Sequence, residues 1–189
     1  MNLEQALEKV RPHLTDHRYQ HTLGVIKAAE ELAERFDADK DKAIIASVFH
    51  DYAKFRDKEE MKRLVREKLN DKSILDYGDE LLHAPCGAYY VENEVGIKDQ
   101  EILDAIRYHT TGKPHMTVLE KVVFLADYIE PGRHFKGIET VREIAEHDLD
   151  KAIIEALKNT MNFLMKQNQL VFPETIATYN QLINDKKEK

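Results

Sequence analysis

The sequence predicts an all-α fold, a single helical bundle spanning residues 1–189. Apolar residues recur at three- and four-residue steps along most of the chain, and no stretch sustains the alternation of a strand. Glycine (7) and proline (5) are sparse, which suits long helices joined by short connections. A length of 189 residues fits one domain, and 42% hydrophobic with 33% charged residues is the balance of a globular chain.

The elements follow in order. Asn2 to His13 reads as a short amphipathic helix. Thr15 or Asp16 caps the next, which runs to about Phe36 with Arg18, His21, Val25, Ala28 and Leu32 on one stripe. Asp39 or Asp41 starts a third helix, whose segment Ala43–Phe49 is apolar nearly all round, the pattern of a central buried helix. Lys58 to Lys68 is a charged helix with a thin apolar edge of Met61, Leu64 and Val65, and Ser73 to Asp79 is a loop or turn. A helix over Leu82 to Glu94 tolerates Pro85 only in its first turn, and Gly96 ends it. Asp99 opens a helix through Ile102, Ala105, Ile106 and His109, and Thr117 caps another that ends near Ile129. Helices over Ile138–Glu146 and Leu149–Lys166 follow, and Pro173 opens the last, which frays into a charged, disordered tail at 186–189. Residues 15–135 hold the candidate chemistry, and 138–185 are C-terminal helices.

A formal net charge of -7 argues against DNA, RNA or an anionic membrane as partner, because each demands a basic surface. A small anionic substrate remains compatible, since a few cations and metal ions reverse the field inside a pocket. With one cysteine, Cys86, no intramolecular disulfide forms. No apolar run approaches the ~20 residues of a membrane span, and Met1–Arg11 lacks a signal-peptide pattern. The expected location is cytoplasmic, and the sequence is compatible with a homodimer.

The strongest local signal is His50-Asp51, placed directly after the apolar run of the third helix. An imidazole and a carboxylate at the end of a buried helix are costly to desolvate unless paired or metal-bound. The theme repeats. His21 shares its stripe with Val25 and Leu32, and His109 continues the Ile102/Ile106 stripe. Asp127 lies on the inward face of its helix, and His83 sits beside Leu81 and Leu82 at a helix start. Helical bundles build metal sites from such inward side chains on separate helices. Six residues, His21, His50, Asp51, His83, His109 and Asp127, are therefore candidate metal ligands. Imidazole and carboxylate without thiolate suit iron, manganese or another first-row ion.

This pattern resembles the HD superfamily of metal-dependent phosphohydrolases: His21, then His50-Asp51, then Asp127, with two added histidines, His83 and His109, between. The stretches His17–Val25, His50–Lys54, His109–Gly112 and Ala126–Arg133 are similar to its bacterial branch called YqeK-type, whose members are symmetrical diadenosine tetraphosphatases. The likeness runs from about residue 15 to Tyr179-Asn180. It implies a bundle of the HD-domain type with two divalent metals, iron favoured. His21, His50, Asp51 and Asp127 would hold the first, and Asp51, His83 and His109 the second, with Asp51 bridging. The implied reaction splits diadenosine tetraphosphate into two ADP, with a metal-bridging hydroxide as nucleophile.

Asp51 and Lys54 are the candidate catalytic residues. Asp51 would fix the metal separation, and Lys54 would flank the ion if the helix continues past His50. Arg18, one turn before His21, with Lys54, Arg133, Thr110 and Thr111, are the candidate substrate contacts; arginine suits bidentate phosphate contacts. Phe135, beside Arg133, is a candidate base-stacking residue, whereas His17, His115, His134 and His147 read as peripheral and Cys86 as packing. The same ligands would also serve a nucleotidase or a signalling-nucleotide phosphodiesterase. A di-iron oxygenase would want an uncharged polyol pocket, which Arg18, Lys54 and Arg133 oppose. A non-catalytic nucleotide sensor is the remaining class.

Overall fold

The computed structural model describes residues 1–187. Within them the chain forms ten α-helices joined by short turns, and no strand is present among the described residues. The helices are α1 (Leu3–Val10), α2 (Asp16–Arg35), α3 (Lys40–Phe49), α4 (Lys58–Lys68), α5 (His83–Tyr90), α6 (Gln100–Tyr108), α7 (Val118–Ile129), α8 (Ile138–Ala145), α9 (Leu149–Lys166) and α10 (Pro173–Lys187). The all-α bundle expected from the sequence is the fold observed.

Most boundaries are written in capping side chains. Asn2, Thr15, Asp39, Asp57, Asp99, Thr117 and Asp148 each accept a backbone N–H of the first turn that follows, satisfying a donor the helix itself cannot. Thr117 and Glu120 complete a reciprocal capping box on α7.

Three boundaries differ from the sequence reading. The first helix stops at Val10 and tightens into a 3-10 turn, Arg11–His13, because Pro12 has no N–H to continue the ladder. The helix read as Leu82–Glu94 is α5 followed by a π-turn, Val91–Val95. The wider turn keeps Val91 fully buried while Gly96, at φ +85°, closes it on the Val91 carbonyl. The disordered tail expected at 186–189 is not what residues 186 and 187 form: α10 continues through Lys187, with Leu182 buried and Lys186 Nζ 3.2 Å from Asp148 Oδ2. Glu188 and Lys189 lie outside the described residues.

The core is one continuous cluster. α2 packs on α3 and α7, and α6 packs on α5, α3 and α7. α8 and α9 pair and dock on α7, and α10 covers α9. α3 and α7 are the most enclosed: Ala43, Ala46, Val48 and Phe49 on one, and Val122, Val123, Leu125 and Ala126 on the other, are without solvent exposure. Burying the valine, leucine and phenylalanine side chains among these stabilises by roughly 1.5–3 kcal/mol each. The two helices thereby fix what stands at their ends, His50-Asp51 after α3 and Asp127 on the last turn of α7. No helix among the described residues is long and apolar enough to cross a membrane.

Candidate metal centre

Five elements deliver six side chains to one place. His21 comes from the second turn of α2, His50 from the C-cap of α3, and Asp51 from the turn after it. His83 opens α5, His109 caps α6 and Asp127 stands on α7. His21, His50, Asp51, His83 and His109 are buried, and the Asp127 side chain is 19% exposed.

The histidines are oriented by one repeated device. His50, His83 and His109 each donate Nδ1–H to the carbonyl three residues earlier, Ser47, Glu80 and Ile106, at 2.7 Å in every case. Each sits where a helical segment ends or changes, so that carbonyl is free to accept. The bond leaves Nε2, with its lone pair, aimed inward. His21 obtains the same result differently: its Nδ1–H goes to the Glu130 carboxylate at 3.0 Å.

Asp51 stands between two groups of these nitrogens. Its Oδ2 is 3.1 Å from His50 Nε2 and 3.9 Å from His21 Nε2, and its Oδ1 is 3.2 Å from His83 Nε2 and 3.9 Å from His109 Nε2. Asp127 Oδ1 joins the first group, 3.0 Å from His21 Nε2 and 3.8 Å from His50 Nε2.

Donor chemistry and orphaned atoms both fit a metal. His21 Nε2, His50 Nε2 and Asp51 Oδ2 are buried without a hydrogen-bond partner, a costly state for a protein that holds no cation there. The donor atoms of His21, His50 and Asp127 lie within 4.8 Å of one another, as do those of His50, Asp51 and His109. All are nitrogen or carboxylate oxygen, the set that first-row divalent ions take.

Ionisation follows the same logic. Burial opposes charge on Asp51, but the adjacent His50 outweighs it and holds the carboxyl well below its ordinary range. Burial opposes charge on Asp127 too, and His21 and the Arg133 guanidinium overcome it. His50 is also penalised by burial, yet the Asp51 carboxylate raises its pKa on balance. His109 is pushed down to about 3 by burial and by His50 and His83, so it is a neutral imidazole, the form that can bind a metal.

The expected substrate contacts divide. Arg18 Nη1 lies 3.1 Å from Asp51 Oδ2, and Arg133 Nη2 donates to Asp127 Oδ1 at 2.7 Å, so both guanidiniums reach the centre. Thr110 Oγ1 is 3.1 Å from His109 Nε2. Thr111 is turned away: its hydroxyl donates to the Gly112 carbonyl, and its own carbonyl accepts from Thr175 of α10. The continued helix imagined for Lys54 does not form. Residues 50–56 advance by tight turns, with Lys54 N donating to Asp51 O at 2.9 Å, because α3 ends at Phe49. Lys54 Nζ consequently lies on the rim, 3.3 Å from Glu80. His17 is exposed beside Arg18 in a cleft of about 340 Å³ that Arg133 also lines. Phe135 is exposed, edge-on to Tyr128 at 5.2 Å.

Sequence reasoning passed over Glu130. It is 3% exposed, accepts from His21 and, through Oε2, from Gly132 N at 2.6 Å. The signal lay in the pattern Asp127–Gly132, where a carboxylate between an apolar helix end and Pro131-Gly132 has no reason to be buried unless it has a partner.

Residues 18–132 match the HD domain family. The chain is 61% identical over 187 residues to a protein of Halalkalibacterium halodurans named "Bis(5'-nucleosyl)-tetraphosphatase, symmetrical", covering 99% of this chain and 100% of that one. It is 58% identical over 184 residues to a Bacillus subtilis protein of the same name, covering 97% and 99%. A crystal structure from Clostridium acetobutylicum, described as a predicted HD superfamily hydrolase involved in NAD metabolism, superposes with a TM-score of 0.91 at 36% identity over 98% of both chains.

Proposed function

Because this chain belongs to the HD domain family, we propose that it is a hydrolase that cleaves diadenosine tetraphosphate and related bis(5'-nucleosyl) tetraphosphates symmetrically, using two divalent metal ions. The observation that carries the two-ion reading is Asp51, whose two oxygens face different pairs of inward imidazoles. His21, His50, Asp51 and Asp127 would hold one ion, and Asp51, His83 and His109 the other, with iron or manganese the best match to the donors. Two such ions supply Lewis acidity and lower the pKa of water toward neutrality.

The chain's own groups do the rest. Asp51 sets the spacing of the two sites. Arg18 and Arg133 enter from the His21 end and are the groups to neutralise non-bridging phosphate oxygens as charge builds there. Thr110, beside His109, can donate to phosphate at the other end. Lys54 stands at the rim, where it can exchange Glu80 for a phosphate oxygen. The His17–Arg133 cleft opens beside His21, which also lines it, and can take one nucleoside of the substrate. Water adds to one central phosphorus and the bridging oxygen leaves with the other half, so each half departs as ADP. Purified protein supplied with ferrous or manganous ion should convert diadenosine tetraphosphate to ADP as the sole nucleotide product. AMP with ATP, or turnover only of mononucleotides or cyclic nucleotides, contradicts this reading.

A further inference from the structure

We propose that Glu130 is a positioning residue that makes the two metal sites unequal, so that the ion at the His21 end is held more tightly than the ion at the His83/His109 end. The inference rests on the two-ion reading of the same centre and goes beyond it.

The observation is a break in an otherwise uniform pattern. Three of the four inward histidines donate Nδ1–H to a backbone carbonyl. His21 alone donates to a carboxylate, Glu130 Oε1 at 3.0 Å. A carboxylate behind an imidazole draws its proton and makes the opposite nitrogen a stronger donor to a metal, and loss of such a partner costs about 10–100-fold in affinity. Charge counting alone does not decide the matter, because Arg18 and Arg133 offset Asp51 and Asp127 at the same end. The asymmetry comes from Glu130.

The surroundings are built for that carboxylate. Gly132 N donates to its Oε2 at 2.6 Å, holding the second oxygen. Gly24 stands one turn after His21 on α2, and a Cβ there would overlap Glu130 Oε2. A Cβ on Gly132 would come within 3.0 Å of the same atom. Two glycines thus leave the room that lets the carboxylate reach His21 from behind, while the α2 backbone at Gly24 is ordinary helix that needs no glycine for its conformation.

The test is a manganous-ion titration of metal-free protein, read from the electron paramagnetic resonance of the free ion. The wild-type protein should show two classes of site differing at least tenfold. His109→Ala should remove the weaker class and His21→Ala the tighter. Glu130→Gln, which keeps shape but removes charge, should weaken the tighter class 10–100-fold and leave the weaker unchanged. Gly24→Ala, which displaces the carboxylate without altering it, should do the same, and Glu130→Asp should restore part of the loss. Histidine ¹⁵N spectra of the metal-free protein should show His21 as the Nδ1–H tautomer, and that signal should broaden or shift in Gly24→Ala. Two classes that Glu130→Gln leaves unchanged, or weakens equally, overturn this inference alone. Failure to bind manganous ion at all overturns the two-ion reading beneath it.

Discussion

The Nε2 atoms of His83 and His109 lie 3.2 Å apart, although each ring has already given its Nδ1 hydrogen to a backbone carbonyl. In neutral rings two lone pairs then face one another. The Thr110 hydroxyl, 3.1 Å from one and 3.4 Å from the other, has a single hydrogen and relieves only one of them. A divalent cation relieves both. The same argument holds across Asp51, whose Oδ1 faces this pair while its Oδ2 faces His21 and His50.

Asp51→Asn should therefore damage both sites at once. The amide nitrogen cannot ligate, and it presents a donor where a lone pair is required. Metal content should fall from two ions per chain to less than one, with hydrolysis down at least 10³-fold. Elemental analysis and steady-state rates check this. A variant that keeps two ions would remove Asp51 from its place between them.

Acid sensitivity of the metal-free protein should follow His109. Its pKa is held down to about 3 by burial and by its neighbouring histidines, against about 6.5 when unfolded. Between those values the unfolded chain binds a proton that the folded chain refuses, so stability falls as pH falls from about 6.5 toward 3, by at most ~1.4 kcal/mol per unit. His50 has the opposite sign: raised above its unfolded value, its contribution is complete below about pH 6.5 and is lost as pH rises through the folded pKa. It adds no slope in the acid window. Denaturant unfolding of chelated protein at pH 6.5 and 5 should show the loss, and His109→Gln should flatten it. An unchanged slope in the variant would contradict the assignment.

Arg18→Ala and Arg133→Ala should separate substrate handling from metal binding. Hydrogen bonds to charged groups contribute about 1.5–3 kcal/mol, so kcat/KM should fall roughly 10–150-fold in each. Both variants should keep two ions, because a guanidinium is no ligand. Loss of metal in either, or an unchanged kcat/KM, would argue against their role as phosphate contacts.

Gly112→Ala should be costly although it touches no ligand. Gly112 adopts φ +66°, and an added Cβ would sit 3.0 Å from Thr178 Cγ2 of α10. Strain and contact together should destabilise by about 1–3 kcal/mol, lowering Tm by roughly 2–12 °C. Thr110 stands two residues before Gly112, so displacement of this turn should also change activity. Calorimetry with rates checks both, and a wild-type Tm would show the turn to be slack.

The helices and the six inward side chains were legible because both depend on local pattern. Thr15, Asp39, Asp99 and Thr117 cap the helices their positions announce, and His21 and His109 follow apolar stripes that can only face the core. What the sequence hid depends on where chains turn. Lys54 was placed by continuing a helix that stops at Phe49, so its contact with Glu80 could not be read. Thr110 and Thr111 look alike in sequence, and only the docking of Thr175 shows which of them faces the centre. Glu130 pairs with a histidine 109 positions earlier, a contact that no periodicity encodes.

Anomalous scattering from crystals of metal-loaded protein, recorded on both sides of the metal's absorption edge, tests the central claim most directly. Two peaks should flank the Asp51 carboxylate, one beside His21, His50 and Asp127 and the other beside His83 and His109. A single peak, or two peaks that do not share Asp51, would contradict the two-ion centre on which the proposed hydrolysis depends.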